Sequence, residues 1–399
     1  MPKTSPFFPR LESLNEPKIW EHWSGYLSAP RYQYSALFEY YAIRNSVAVF
    51  DTSPLFKYRF SGPDATAFLA RVLTRNILTC RVGQAQYTIW CNEAGFVVED
   101  GVILRLSENE YFLTAAEPNL RYFSDLVGDA AVTIEDISAD YGMLAVQGPH
   151  SRTVLAQLTD AVQDLRYFRL TRTEVAGVPV ILSRTGYTGD LGFELWIPAT
   201  EALIVWDALF AAGQGYNILM MGTRALKMAR VEAGLLLLDV DFSSARFAWT
   251  DAQRETPDEL GLGWMLNKLD QDDRAFIGRT AIEAERKEKK SRWRTVGLTV
   301  DYHAYEKIHR DAGIMPPKDG VFHEETYSIY GQDGAYVGYA TSYLYSSLLK
   351  RHIALAKLPP SLAQPGQEVL LEIMVIHKPV KVLARVVDMP FYNPERKTS

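Results

Sequence analysis

The sequence lacks the features that mark several large classes of protein. It has only two cysteines, Cys80 and Cys91, which is too few for a disulfide framework and fits a reducing compartment. Its longest apolar stretch, AGLLLLDV, is cut off by Asp239 and is too short to cross a membrane. The N-terminus has no apolar segment of the kind found in signal peptides. A cytoplasmic protein that does not insert into membranes is therefore predicted.

Motifs for nucleotides, metals and nucleic acids are also missing. The sequence has no P-loop, no GxSxG elbow and no complete GxGxxG. His303, His309 and His323 lie close in sequence without matching a metal-binding spacing, so they are interpreted as solvated loop residues and no metal is predicted. The net charge of −6 and the mixed signs of the charged run at 283–294 argue against a nucleic-acid partner.

The order of predicted strands and helices along the chain is instead typical of an α+β protein. A strand, a Gly-Pro turn and a helix are predicted at 58–72, and the same order recurs at 144–158. Beyond a break near 285–295, strand-like segments alternate with turn residues, which indicates a separate β domain, either a small barrel or a jelly-roll-like fold.

Two adjacent acids, Glu99 and Asp100, follow an apolar run and precede the strand-like segment VILRL. Strand alternation places Val98 and Asp100 on one face and Val97 and Glu99 on the other, so the two carboxylates should diverge. One of them pointing into an apolar cavity would have a raised pKa. An exposed acid in a turn is an equally good interpretation.

A further carboxylate, Glu194, lies in SRTGYTGDLGFELWIP at 183–198. It alternates with Phe193 and Leu195 and shares its face with Trp196. Such a carboxylate can accept two hydrogen bonds from a planar N–C–N–H edge, as pterins and guanidinium groups present. A structural arginine partner is the alternative that spacing alone favours.

The segment RTGYTGDLGFELWIP resembles the signature of the aminomethyltransferase family, which includes the glycine cleavage T-protein and folate-dependent demethylases. Other segments that resemble the family follow in its order along nearly the whole chain: VAVFDTSPLFKYRFSGPDATAFL, YTIWCNEAGFVVEDGVILRL, LAVQGPHS, RVEAG, LGLGWML, FIGRTAI and IALAKLP. The resemblance implies an α+β, three-domain cloverleaf around a central tetrahydrofolate channel. It has two α+β domains of ferredoxin-like type and a C-terminal β-barrel or jelly-roll-like domain. The predicted domains are 1–50 with 140–280, 51–139, and 290–399.

The resemblance also implies roles for single residues. Glu194 would bind the amino-pyrimidine edge of the pterin, with Tyr187 in the adjoining turn, whose glycines would let the backbone pass close to a flat ligand. Glu99 matches the family's catalytic carboxylate, which is usually aspartate, and Asp100 is the neighbour to which this task can pass. Tyr87 matches a tyrosine near the folate channel.

Departures from the family pattern favour a paralogue. Pro54 replaces a histidine, and Leu226 and Lys227 replace an Arg-Asp pair, for which Arg224 is the predicted substitute in cofactor binding. The donor pocket is predicted to be lined by three aromatic residues: Phe247, Trp249 and Trp264.

The main functional prediction is a demethylase that moves a methyl group from a small N-, S- or O-methylated compound to N5 of tetrahydrofolate. One alternative is a T-protein that acts on an aminomethyl-lipoyl carrier protein. The other is a folate-binding protein without transferase activity.

Overall fold

Helices occur along much of the chain. The computed structural model describes residues 2–318, 320, 322–323 and 325–399. No helix within these ranges is long and apolar enough to span a membrane. The helices are α1 (Phe8–Leu14), α2 (Ala36–Asn45), α3 (Ala65–Val72), α4 (Leu120–Asp125), α5 (Ser151–Leu155), α6 (Ala202–Gly213), α7 (Thr223–Glu232), α8 (Arg279–Glu288) and α9 (Tyr302–Asp311).

The strands form a short hairpin, two open sheets and a barrel. They are β1 (Glu21–Trp23), β2 (Tyr26–Ser28), β3 (Ala48–Asp51), β4 (Phe56–Ser61), β5 (Gln84–Cys91), β6 (Val97–Ser107), β7 (Glu110–Ala115), β8 (Thr133–Asp136), β9 (Tyr141–Gln147), β10 (Leu170–Val175), β11 (Val178–Ser183), β12 (Gly192–Pro198), β13 (Leu219–Met220), β14 (Arg294–Val300), β15 (Tyr327–Tyr330), β16 (Tyr336–Ser346), β17 (Arg351–Leu358), β18 (Glu368–Val375) and β19 (Lys378–Val387). Sheet I has the order β10-β11-β12-β9-β3-β13, and sheet II has the order β5-β6-β7-β4-β8. The closed barrel runs β14-β17-β16-β15-β18-β19.

Each open sheet has one face covered by helices. In sheet I, Phe193 and Leu195 of β12 pack in one buried cluster with residues of α1, α5 and α6. In sheet II, Trp90 of β5 packs with Phe68 of α3 and Phe123 of α4. Alternation along the strands leaves the opposite face of each sheet for another partner.

These opposite faces meet each other. The rings of Phe112 on β7 and Trp196 on β12 lie 5.5 Å apart between centroids, inside a buried cluster drawn from both sheets. The sheets are also joined at their edges, where the Leu170 amide donates to the Gly83 carbonyl at 3.0 Å. Side chains along β5, β6 and β12 therefore face a shared space between the sheets.

The barrel packs onto the two sheets through strands that are buried on both sides. Leu344, Ile353 and Leu355 point out of the barrel into a core that also contains Phe50 of sheet I and Ile89 of sheet II. Alternate residues of the same strands fill the barrel interior. The α+β class is confirmed, and so is the C-terminal β domain, which is a closed barrel. The predicted domain boundaries and the folate channel stay predictions.

A buried ion pair connects α7 to the barrel. Arg230 pairs with Asp241, and both side chains are almost fully shielded from solvent. Asp241 also accepts hydrogen bonds from the hydroxyls of Thr341 at 2.5 Å and Ser342 at 2.7 Å, both on β16. Asp241 is thus one of the groups that fix the position of α7 relative to the barrel.

Replacing Arg230 by Met should lower the free energy of unfolding by about 3 to 5 kcal/mol, because Asp241 would stay buried without its cation. Urea denaturation measures this loss. Arg10→Ala, which breaks an exposed pair with Asp207, is the control and should leave stability nearly unchanged. A loss for Arg230→Met as small as that of the control would contradict this account.

Candidate functional site

The two adjacent acids of β6 point in opposite directions. Glu99 lies opposite Trp90 in the sheet, and Asp100 lies opposite Ile89, so the predicted divergence is confirmed. The placement of Val98 was wrong, because the pairing register shifts between Trp90 and Cys91 and Val98 packs in the same cluster as Trp90. A bulge of this kind inserts one residue and interrupts strict alternation.

Glu99 is held by the loop between β7 and α4. Its carboxylate accepts hydrogen bonds from the Glu117 amide at 3.0 Å, from the Ala116 amide and from the side-chain amide of Asn119. Burial raises the pKa of the Glu99 carboxyl to about 8, these hydrogen bonds oppose the shift, and the charge of Asp100 adds to it. Glu99 therefore lies on the helix-covered side of sheet II, and its catalytic role stays a prediction.

Asp100 faces the space between the sheets. The Tyr87 hydroxyl donates a hydrogen bond to it at 2.8 Å, and both side chains are half-buried. Burial raises the pKa of Asp100 to about 6, against the opposing effect of this hydrogen bond. Burial also raises the pKa of Tyr187, the charge of Arg230 lowers it and the charge of Asp100 raises it, so Tyr187 lies within electrostatic reach of Asp100.

Glu194 of sheet I also faces the space between the sheets. It lies between Ser183 and Ala145 of the neighbouring strands. It is half-buried, and its carboxylate accepts a hydrogen bond from the Thr185 hydroxyl. Burial raises the pKa of Glu194, and the bond from Thr185 opposes the shift. No salt bridge to Glu194 occurs in the part of the chain that the structure describes. The alternative of a structural arginine partner therefore finds no support.

We call Tyr87, Asp100, Tyr187 and Glu194 the intersheet site. Burial is the main cause of the raised pKa of both carboxyls, Glu194 and Asp100. One can accept hydrogen bonds from a planar donor edge, and the other can exchange a proton near neutral pH. Across the described ranges, no group of His, Cys, Asp or Glu side chains is arranged to hold a metal ion.

The glycines of the signature turn make room for a protein side chain. A Cβ on Gly186 or Gly192 would lie only 2.1 or 2.2 Å from the side-chain oxygen of Gln147. Gln147 is buried and donates to the carbonyls of Thr185 and Phe193 at 3.3 Å each. Sequence reasoning had assigned these glycines to a flat ligand and had missed Gln147, whose only signal was a polar residue ending an apolar strand.

The remaining predicted site residues are exposed. Arg224 is exposed on α7. Trp249 is 91% exposed, Phe247 54% and Trp264 46%. Phe247 lies under the guanidinium of Arg246, and Trp264 under that of Arg75. The donor pocket assigned to these three aromatic residues stays a prediction.

The raised pKa of Glu99 should make stability depend on pH. The folded protein keeps this proton to a higher pH than the unfolded chain, so stability should fall as pH rises from about 5 to about 8. In Glu99→Gln this contribution to the fall in stability should disappear. The difference in free energy of unfolding between variant and wild type should therefore change by more than about 1 kcal/mol across this pH range. Urea denaturation across this range measures it, with exposed Glu12→Gln as the control. Parallel curves for wild type and Glu99→Gln would refute a buried, protonated Glu99.

The GCVT N-terminal domain model matches residues 14–270, and the model of the glycine cleavage T-protein C-terminal barrel domain matches residues 310–393. The solved glycine cleavage system aminomethyltransferase T of Bartonella henselae has the same fold, with a TM-score of 0.81 at 22% identity. It covers 98% of this chain and 99% of its own.

Curated relatives extend this similarity to sequence. The aminomethyltransferase of Streptomyces coelicolor is 33% identical over 366 residues, covering 90% of each protein. That of Shouchella clausii is 34% identical over 362 residues, covering 89% of each. Two family models that match in order and relatives at this identity show that the chain belongs to the aminomethyltransferase, or glycine cleavage T-protein, family of one-carbon transferases.

Proposed function

We propose that this protein is a tetrahydrofolate-dependent aminomethyltransferase that takes its one-carbon unit from an aminomethyl-lipoyl carrier protein. The intersheet site carries this proposal, because it combines Glu194, a carboxylate with no cationic partner among the described residues, and Asp100, a carboxylate that titrates near neutral pH. The curated relatives that share most of the chain are named aminomethyltransferases. They favour this function over the demethylase predicted first.

The residues at Glu194 suit a pterin. The carboxylate takes a hydrogen bond only from Thr185 within the described residues, which leaves acceptor capacity for the two donors of an amino-pyrimidine edge. Its raised pKa shows that burial disfavours its charge, and hydrogen bonds from a ligand would restore that charge. Tetrahydrofolate, when bound, would supply the nitrogen that accepts the one-carbon unit.

Asp100 is the residue we assign to proton transfer. Its pKa of about 6 lets it both hold and release a proton at neutral pH, and the Tyr87 hydroxyl orients its carboxylate. Its position between the packed sheets limits the access of water. Glu99 has the supporting task of fixing the loop after β7.

One observation favours the demethylase as a second candidate. Leu226 and Lys227 occupy the places of the family's Arg-Asp pair on α7. Lys227 lies near the ring of Phe322, 5.9 Å from its centroid. A change of charge pattern at this helix is a reason to test donors other than a lipoyl carrier.

Turnover distinguishes these functions. The protein is incubated with tetrahydrofolate and either an aminomethyl-loaded lipoyl carrier or a panel of methylated amines, sulfonium compounds and methoxy-aromatics. We expect ammonia and methylene-tetrahydrofolate from the carrier. Asp100→Asn should lower kcat by about 100-fold or more with little change in folate affinity, as expected for loss of a general acid–base. Glu99→Gln is the matched control and should stay within severalfold of wild type.

Three outcomes would overturn parts of this proposal. Formation of 5-methyl-tetrahydrofolate from the panel, with no product from the carrier, would show that the protein is a demethylase and not an aminomethyltransferase. Folate binding without turnover of any donor would indicate a binding protein. A larger loss of kcat in Glu99→Gln than in Asp100→Asn would return the catalytic task to Glu99.

Glu194→Gln should weaken binding of tetrahydrofolate by about 10- to 100-fold, because hydrogen bonds to a charged acceptor contribute about 1.5 to 3 kcal/mol. Isothermal titration calorimetry measures the change. Glu174→Gln, at an exposed position on β10 of the same sheet, is the control. Equal affinities for both variants would remove Glu194 from the binding site.

A further inference from the structure

Two large aromatic side chains lie exposed close together in the sequence. Trp249 is 91% exposed, a larger fraction than for any other large apolar side chain that the structure describes. Phe247, two positions earlier, is 54% exposed. Folding normally buries most of a tryptophan, and exposed apolar groups that cluster mark sites of interaction. The 247–254 loop, which carries both rings, is therefore a candidate binding surface.

The backbone of this loop is held by its own side chains. The side-chain oxygen of Gln253 accepts hydrogen bonds from the amides of Trp249 at 2.8 Å and Thr250 at 3.1 Å. Arg254 donates to the carbonyl of Ala248 at 3.2 Å. The exposed ring thus belongs to an ordered loop, so a partner that binds it has little backbone to immobilise.

The loop follows a residue that pairs with the strand of Asp100. The Ala245 amide donates to the Val97 carbonyl at 2.9 Å, and Val97 is the first residue of β6. Asp100 lies three positions further along β6, which is about 10 Å at the rise of an extended strand. A protein bound to the 247–254 loop would therefore lie close to the intersheet site.

The surface beside the loop is rich in cations. Segment 287–294 has five Lys or Arg residues and one Glu, and all six of these residues are exposed. The segment adjoins the loop, because the Arg292 side chain donates to the Asp251 carbonyl at 3.1 Å. The whole chain has a net charge of −6, so the sign of this surface is opposite to that of the chain.

The acids of the loop and the segment already have partners. Asp251 forms a salt bridge with Arg254, and Glu288 forms one with Lys290. Three exposed cations of the segment form no salt bridge within the described ranges: Lys287, Lys289 and Arg294. The surplus charge is therefore positive, which suits an acidic partner.

A second copy of this chain suits the surface less well. Most homodimers have a two-fold axis, so that each patch meets the same patch of the other subunit. The unpaired cations would then face one another, and contacts between like charges are unfavourable. An acidic protein, in contrast, would satisfy the cations and cover the rings.

We propose that the 247–254 loop and segment 287–294 form the docking surface for an acidic carrier protein, which is the donor in the proposed transfer reaction. This inference rests on the proposed function. Trp249 would be the anchor, because tryptophan is among the residues that contribute most to binding at interfaces. The cations would orient the carrier and speed its association. The carrier would stay on this surface while its lipoyl arm enters the intersheet site.

Steady-state kinetics with the aminomethyl-loaded lipoyl carrier and saturating tetrahydrofolate test the proposal on the full-length protein. Trp249→Ala should raise KM for the carrier at least about tenfold, because an interface anchor is lost. Its kcat should stay within about twofold of wild type, because the ring contributes to docking and not to the chemical step. Folate affinity, measured by calorimetry, should not change. Tyr336→Ala, at an exposed aromatic residue of β16, is the matched control and should keep the KM of wild type.

Charge reversal tests the cations separately. Lys287→Glu combined with Lys289→Glu should raise KM for the carrier at least about fivefold at low salt. The difference from wild type should shrink as ionic strength rises, because salt screens exposed charges. Lys378→Glu, at an exposed position of β19, is the control for a change of net charge elsewhere.

The possible failures are distinguishable. An unchanged KM in Trp249→Ala, with product formed from the carrier by wild type, would overturn the docking surface and leave the proposed function standing. No product from the carrier with wild type would overturn the proposed function, and the docking surface with it. A loss of kcat or of folate affinity in Trp249→Ala would place the ring in the reaction site and overturn docking. Self-association of wild type that Trp249→Ala abolishes would show that a second copy covers the surface, and would overturn it as well.

Discussion

Adjacent residues of a strand point to opposite faces, and this constraint organises the intersheet site. Glu99 and Asp100 are neighbours, yet one holds a loop under α4 and the other faces the space between the sheets. The family usually has aspartate at the position of Glu99, so the extra methylene lengthens the side chain that reaches the loop amides. A group that is fully used by the fold cannot also be rearranged around a ligand. The two carboxylates therefore lie on different faces of β6, which is why the proposed proton transfer is assigned to Asp100 and not to Glu99.

Buried polar networks connect this site to the barrel. Glu232 at the end of α7 accepts hydrogen bonds from Arg44 of α2 at 2.7 Å and from Ser346 of β16 at 2.6 Å. Arg44 in turn donates to the Thr188 carbonyl, in the turn that precedes Glu194, at 2.9 Å. Buried ion pairs contribute little net stability when compared with apolar packing, but breaking one is costly. Their effect here is to fix one relative position of sheet I, α7 and barrel.

Local sequence patterns predicted part of this structure. Alternation placed Glu194 and Trp196 on one face of β12, because that strand is regular and pairs with β9 along its whole length. It failed for Val98, because a bulge depends on the partner strand. Local patterns could not predict the surroundings of Glu99 either, because its hydrogen-bond donors lie 17 to 20 residues further along the chain.

The aromatic residues show the same limit of prediction from local sequence. Phe247, Trp249 and Trp264 have the composition of a binding pocket, but whether rings converge depends on tertiary packing. In the barrel, by contrast, the packed rings of Tyr305, Tyr343 and His352 come from α9, β16 and β17, and only folding brings them together. Composition alone cannot show which rings converge.

The state of Glu194 explains why the signature has this composition. A half-buried carboxylate without a cation is unfavourable for the folded protein, and its raised pKa records that cost. Packing would be satisfied equally well by an uncharged side chain, since Thr185 and the buried Gln147 already hold the turn. The glycines serve Gln147, and Gln147 in turn positions the first residues of β12. Within the described residues, turn and strand thus present a carboxylate with spare acceptor capacity, which suits the donor edge of the proposed pterin.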